Sequence, residues 1–338
     1  MANQFFDFEW NVAPEGHGWQ KVAPSDEERL SHAKGAGWVL VEADSSESSD
    51  VPRRYEPLRD DTGLFRTFAS TAPTKKGVLG FANEYGLLET RQYLNPDPRE
   101  VADVGPDQVV GERLSHWIPH ILVMKDAVEV WDLATRKDVD GLRRIERSRK
   151  LFTEPPSHRL TEPAAVEPQH DAYTGDGFEF RYDYYRAGPS GSLLKDAWAL
   201  VMDVVQQHLV ETGPEMTMGG DGARGTARLH VTPTSLLGAM WLQFAEAISE
   251  QKDYARCKLC GKPFEVSTAQ TGFRTNRRFC SDVCKNQFHY QKRLDARQLR
   301  ANGTSLREIA AQFETTIPAV KKWLREPIAK KKTARTKR

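Results

Sequence analysis

The 338 residues carry 48 Lys and Arg against 47 Asp and Glu, a formal net charge of +1, and 39% of them are hydrophobic. That length and apolar fraction can fill two or three domains with at least one sizeable core, so a globular chain with tails is expected. No run approaches the ~18 apolar residues that span a bilayer, and the opening MANQFFDFEW carries acids where a signal peptide carries Lys or Arg, which excludes membrane classes and predicts a cytoplasmic protein.

The charges are sorted along the chain. From Gln251 to the end, 22 basic residues stand against 7 acidic ones, a balance of +15, which leaves −14 for residues 1–250. The C-terminal end therefore suits a polyanion and the N-terminal region does not.

In chain order, Ser25 and Glu28 have capping-box spacing ahead of a short helix, GWVLVEA reads as a strand, and DSSESSD as a polar linker. TKKGVLGFANEYGLL predicts a helix with Thr74 as N-cap and Gly86 as stop, and another helix is expected after Asp107. Residues 120–133 set Ile121, Met124, Val128 and Trp131 on one stripe. Residues 193–209 do the same with Leu194, Ala197, Trp198, Val201, Val204 and Val205, and residues 234–249 with Leu237, Met240, Trp241, Phe244 and Ile248. These Met and Trp positions are expected in an ordinary core rather than in a ligand pocket. Residues 178–187 and 225–232 read as strands, and the Pro-rich stretch Phe152–Gly177 as a surface loop.

Two motifs are read as decoys. GDGARG, Gly220–Gly225, matches GxGxxG, but it follows a helix and precedes a strand, the reverse of the dinucleotide context, so a turn is expected. His116 and His120 are four apart, with Glu112 one turn earlier, which is a possible metal spacing on a helix. Pro119 between them is expected to start or kink the helix and spoil the shared face, which leaves the histidines a structural role.

The four cysteines fall in one window, Cys257-Lys-Leu-Cys260 and Cys280-Ser-Asp-Val-Cys284, separated by 19 residues. Two close pairs across such a gap have the spacing of a zinc site. Gly261 frees the backbone to wrap round a metal, and Phe264 offers an apolar cover. Cys280 and Cys284, four residues and ~400° apart in the first turn of a helix, point to nearly the same side, where the helix N-terminus favours thiolates. His289 lies ~180° round the helix from Cys280 and faces away. Intracellular chemistry argues against disulfides. A structural Zn²⁺ held by Cys257, Cys260, Cys280 and Cys284 is therefore preferred over an iron–sulfur cluster or simple core thiols, and the knuckle, hairpin and helix describe a treble clef. Arg277 and Arg278 could offset the −2 charge of such a site or contact phosphate, and the sequence leaves both open.

RCKLCGKPF followed by RRFCSDVCKNQ resembles the zinc finger of the bacterial CGNR family, with the naming motif as Cys284-Lys285-Asn286-Gln287, where Lys285 replaces Gly and Gln287 replaces Arg. The resemblance covers about 35 residues and implies a stress-induced transcription regulator with a helical N-terminal domain.

Beyond this module, Asn302-Gly303 stops one helix, and Ser305 with Glu308 forms a capping box for the next, whose buried positions are Leu306, Ile309, Ala310 and Phe313. Thr316 caps a last helix with Pro318 in its first turn and Ile317, Val320, Trp323 and Leu324 as its inner face. The pair resembles the helix-turn-helix of resolvase-type and homeodomain-like DNA binders, with Glu314 where Gly is usual. Thr315, Thr316, Ala319, Lys321, Lys322 and Arg325 are expected on the outer face, the basic residues for phosphates and the small ones for base edges.

The expected fold class is mainly α (α+β), in four parts: an acidic α-rich regulatory domain over 1–250, a treble-clef-like finger over 251–293, a helix-turn-helix over 294–326, and a basic disordered tail over 327–338. The expected function is a non-enzymatic, zinc-containing transcriptional regulator of double-stranded DNA, autoinhibited by its acidic domain. A small-molecule or protein effector at that domain and a homodimer fit this reading. One rival is a nuclease-like enzyme, for which the finger lacks a suitably placed catalytic histidine and an open metal position. The other is an RNA or protein interaction module that stacks bases on Phe279, Phe288 and Tyr290.

Overall fold

A computed structural model describes residues 8–22, 36–42, 53–89, 111–149, 191–209, 212–219, 226–266 and 277–325. It divides the chain into two units, Met1–Lys252 and Asp253–Arg338, both mixing helix and strand. The capping box at Ser25, the strand at 178–187, the Pro-rich loop, the Gly220–Gly225 turn and the basic tail lie outside the described residues.

In the first unit, β1 (Trp10–Val12) pairs with β4 (Arg53–Tyr55), and β3 (Trp38–Glu42) is the middle strand between β2 (His17–Lys21) and β5 (Gly111–Arg113), all antiparallel. The helix expected after Asp107 is thus preceded by a strand. Gly111 permits this pairing, because a Cβ there would sit 2.2 Å from the Leu40 carbonyl oxygen across the ladder. β6 (Thr212–Gly219) and β7 (Thr226–Pro233) form a further antiparallel hairpin.

The helices are α1 (Pro57–Asp60), α2 (Leu64–Ala69), α3 (Lys75–Tyr85), α4 (Leu114–Thr135), α5 (Val139–Arg149), α6 (Leu193–His208) and α7 (Leu236–Ser249). α3 begins and ends where its sequence says. The Thr74 hydroxyl accepts the Gly77 N–H, and Gly86 closes the helix at a φ of +95° that a side chain would resist. α4 buries Ile121, Met124, Val128 and Trp131, and also Val123, Val130 and Leu133, so it is central rather than one-sided. α6 differs slightly from its expected stripe: Leu200 is buried, while Leu194 and Trp198 are half-buried.

Aromatic rings fill the centre. Phe65 stacks on Phe244 at 5.1 Å, Trp131 meets Phe244 edge-on at 5.4 Å, and Phe68 meets Phe81 at 5.1 Å. Met124, Trp131, Met240 and Trp241 are therefore core, with Trp198 at its edge. One polar side chain sits among them: Gln243, on α7, donates from its amide to the carbonyls of Pro57 and Asp61, each at 2.8 Å, and accepts the Phe65 N–H at 3.4 Å. It bonds backbone groups at the ends of α1 and α2, tying both to α7. Gln243→Leu, similar in volume, should strand those groups and cost about 3 kcal/mol in urea unfolding, whereas a loss below about 0.5 kcal/mol would show that water replaces the amide.

The second unit comprises a hairpin, β8 (Asp253–Arg256) with β9 (Pro263–Val266), and three helices, α8 (Asp282–Ala301), α9 (Leu306–Gln312) and α10 (Ile317–Arg325). Ala296, Ile309, Ala310 and Val320 form the buried centre, flanked by Leu299, Leu306, Phe313, Trp323 and Leu324. Ala296 and Ala310 are small where the helices approach each other. Ile317, expected inside, is exposed because it is the first helical residue, where the chain enters from the turn. Both arms of the capping box at Ser305 and Glu308 are present.

Two cations of α8 close this unit. Lys292 donates to the Phe313 carbonyl (2.7 Å) and Arg297 to that of Trp323 (2.9 Å), at the C-terminal ends of α9 and α10 where helix dipoles are negative. Glu314 takes a φ of +49°, the left-handed conformation that glycine adopts freely. Glu314→Gly should therefore raise the stability of this unit by up to about 1 kcal/mol in thermal or denaturant unfolding, against the usual loss on introducing glycine.

Candidate functional site

The cysteine cluster is assembled by three local devices. First, Cys257–Lys262 forms the tip of the β8–β9 hairpin. The Cys257 N–H donates to the Lys262 carbonyl and the Gly261 N–H to that of Cys257, both at 2.9 Å, and Gly261 turns the chain at a φ of +73°. Phe264 is buried beneath it, as its apolar character suggests. Second, the segment before α8 is tied to this tip: the Lys258 N–H donates to the Arg278 carbonyl at 3.0 Å, and the Arg277 guanidinium donates to the carbonyls of Phe279 and Cys280 while lying 5.3 Å from the Phe264 ring centre. Third, Ser281 is the N-cap of α8, and its hydroxyl accepts the Cys284 N–H at 3.2 Å. Cys280 thus stands just before the cap rather than within the first turn.

The four sulfurs converge within 4.8 Å of one another, and none is in a disulfide. Cys260 and Cys280 are 3.7 Å apart, Cys280 and Cys284 3.4 Å, and Cys260 and Cys284 3.9 Å. Sulfurs about 2.3 Å from a tetrahedral ion lie about 3.8 Å from each other, so the cluster could hold a metal ion. Burial pushes the Cys257 thiol up, but the backbone N–H groups of Cys260, Cys280 and Leu259 outweigh it and bring the group down to about 6. Cys280 is pushed up to about 12, first by burial and then by the neighbouring sulfurs. One sulfur is thus readily anionic while another resists a second negative charge, a conflict that a bound cation removes. His289 is not among these donors. Its ring lies by Phe279 and Phe288, and burial followed by the charges of Lys292, Arg293 and Lys285 lowers its pKa.

The residues expected to meet a polyanion divide into two groups. Arg278, Thr316, Lys321, Lys322 and Arg325 are exposed, whereas Thr315 and Ala319 are half-buried and Arg277 is folded against the cysteine loop. Thr316 also caps α10 weakly, its hydroxyl accepting the Ala319 N–H at 3.4 Å. Phe279 and Phe288 are half-buried with their rings 5.1 Å apart, and Tyr290 is exposed.

A second group of donors lies in the first unit. Pro119 does not interrupt α4, which runs through it with the rings of His116 and His120 4.5 Å apart. The proline sits near the helix start, where the loss of one backbone bond is tolerated. Glu112 is not among the donors that converge with the histidines: its buried carboxylate accepts the N–H groups of Leu88 (3.0 Å) and Glu89 (2.6 Å), and burial, opposed by those two bonds, raises it to about 7. The acid that joins the histidines is Glu89, which the sequence spacing did not single out.

No family model matches the chain, and no curated protein matches it significantly. Among the described residues, no helix is long and apolar enough to cross a membrane.

A thiol-competing chelator, or replacement of Cys284 by Ser, should strip amide-exchange protection from β8, β9 and the first turns of α8, because in a cysteine cluster that holds a metal the binding energy is folding energy. Unchanged protection in metal-free protein would show that the hydrogen bonds alone hold the loop.

Proposed function

We propose that residues 253–325 are a structural zinc module of the treble-clef type fused to a helix-turn-helix, and that the protein is a DNA-binding transcriptional regulator rather than an enzyme. An all-thiolate tetrahedral set favours Zn²⁺ among common ions, and with four protein ligands it keeps no position for substrate. The likeness of the finger segment to CGNR zinc fingers points the same way.

The observation that carries the reading is α10. Its inner face is held by Val320, it follows a capped helix through a tight turn, and its outer face presents Thr316, Lys321, Lys322 and Arg325 to solvent. A short helix with polar residues at its N-terminus and cations further on suits the major groove, with Thr316 near base edges and the cations on phosphates. Ala319, being half-buried, contributes less to base contact than its position on the helical wheel implies. The acidic residues 1–250 would compete with DNA for the same cations, a route to autoinhibition that an effector relieves.

Lys321→Ala and Lys322→Ala should weaken binding to every duplex alike and lower the slope of log K against log salt by about 0.9 per lost phosphate contact, whereas Thr316→Ala should alter which sequence is selected from a random library. Selection and salt titration with the zinc-loaded full chain measure both. Identical profiles and slopes for the three variants and wild type would remove α10 from the groove.

A further inference from the structure

We propose that Glu89, His116 and His120 form a second divalent-metal site, chemically distinct from the cysteine cluster and independent of the DNA-binding reading. One ligand atom from each lies within 4.8 Å of the other two. His116 and His120 lie one turn apart on α4, their rings edge-on at 4.5 Å, and the Glu89 Oε1 is 3.2 Å from the His116 Nε2. Nitrogen and oxygen donors about 2.1 Å from a tetrahedral ion are about 3.4 Å apart, so this edge already has a metal-site length. His120 adds a third donor atom to this pair. The side chains of His116 and Glu89 are 30% and 21% exposed, which leaves them room to close the remaining edges and leaves an ion a path in.

The position of Glu89 is fixed from outside the trio. The Leu87 carbonyl accepts the Trp10 indole N–H at 3.0 Å, the Leu88 carbonyl accepts the Leu237 N–H at 3.0 Å, and the N–H groups of Leu88 and Glu89 donate to the buried Glu112 carboxylate. The loop is thus held by β1, β5 and the first turn of α7. These bonds hold the backbone that carries Glu89, which places its side chain near α4 before an ion arrives. His208 lies beside the trio, its ring 6.4 Å from that of His120 and stacked on Trp241 at 4.1 Å. Its Nδ1 is 2.8 Å from the Val204 carbonyl, an acceptor, so this nitrogen carries the proton.

Two imidazoles and one carboxylate select a first-row divalent ion, Zn²⁺, Co²⁺ or Ni²⁺, rather than Ca²⁺ or Mg²⁺. Three protein ligands leave at least one position for water or an oxyanion, so the site is open where the cysteine site is closed.

Titration of the metal-stripped full chain with Co²⁺ separates the two sites. The first equivalent should give the intense charge-transfer absorption of thiolate ligands. A second should give only weak ligand-field bands and should shift the imidazole resonances of His116 and His120. Glu89→Gln and His120→Ala should each abolish the second phase while leaving the first and the far-UV circular dichroism intact, and Cys284→Ser should do the reverse. Glu112→Gln, acting on the position of Glu89, should weaken the second phase by about 10–100-fold. Excess Mg²⁺ should not compete. A single cobalt equivalent in the wild-type chain, or a second phase unchanged by both Glu89→Gln and His120→Ala, would overturn the proposal.

Discussion

The hydroxyl of Ser281 fixes where α8 begins, and much of the second unit follows from that starting point. By accepting the Cys284 N–H it sets the first turn, in which Cys284 Sγ lies 3.4 Å from Cys280 Sγ. The same unbroken helix carries Ala296 into the buried centre and Lys292 and Arg297 onto the ends of α9 and α10. The cysteine loop and the three-helix cluster are therefore two ends of one rigid rod. A disturbance at the sulfurs is felt as a change in helix start, hence in the direction of everything packed on its far end.

The first unit is organised on a different principle. Its centre is aromatic, and the order of that centre depends on a few polar groups that reach across long stretches of sequence. Gln243 ties α7 to the ends of α1 and α2, and Glu112 ties β5 to the loop after α3. Arg66 lies over the Trp131 ring and forms a two-pronged pair with Asp132, joining α2 to the end of α4. Each makes one arrangement of the helices preferable to its neighbours.

What could be read from the sequence was mostly local. Thr74, Gly86, Ser305 with Glu308, Gly261 and Gly303 act within four residues of themselves, and their chemistry is the same in any fold. The cysteine pairs were legible for the same reason, since spacing within each pair sets the knuckle and the cap. The central strand at residues 38–42 and the helices around Met124, Val201 and Met240 also followed from periodicity. The acid that meets His116 did not, because Glu89 is 27 positions away and only the folded loop brings it in. Glu112, four residues upstream, had the better local claim, but its carboxylate is bonded to two backbone amides. The strand at Gly111–Arg113 was equally hidden, as its identity rests on a glycine's fit against Leu40 rather than on any pattern of its own. Helical periodicity placed Ile317 inside and Thr315 and Ala319 outside, yet near the ends of a nine-residue helix neighbouring segments decide exposure as much as phase does.

The bonds made by Lys292, Arg297 and Arg277 bear on how this protein would interact with a polyelectrolyte. Each of these cations is already engaged with carbonyl oxygens or an aromatic ring inside its own unit. Their charge still contributes to the long-range potential that draws an anion in, because a field does not depend on what the guanidinium is bonded to. They are poorly placed, however, to exchange a condensed counterion for a direct contact. The effective valence of the folded surface is therefore smaller than the formal +15 of residues 251–338, so a polyanion brought to this region would feel a long-range attraction larger than its direct contacts imply.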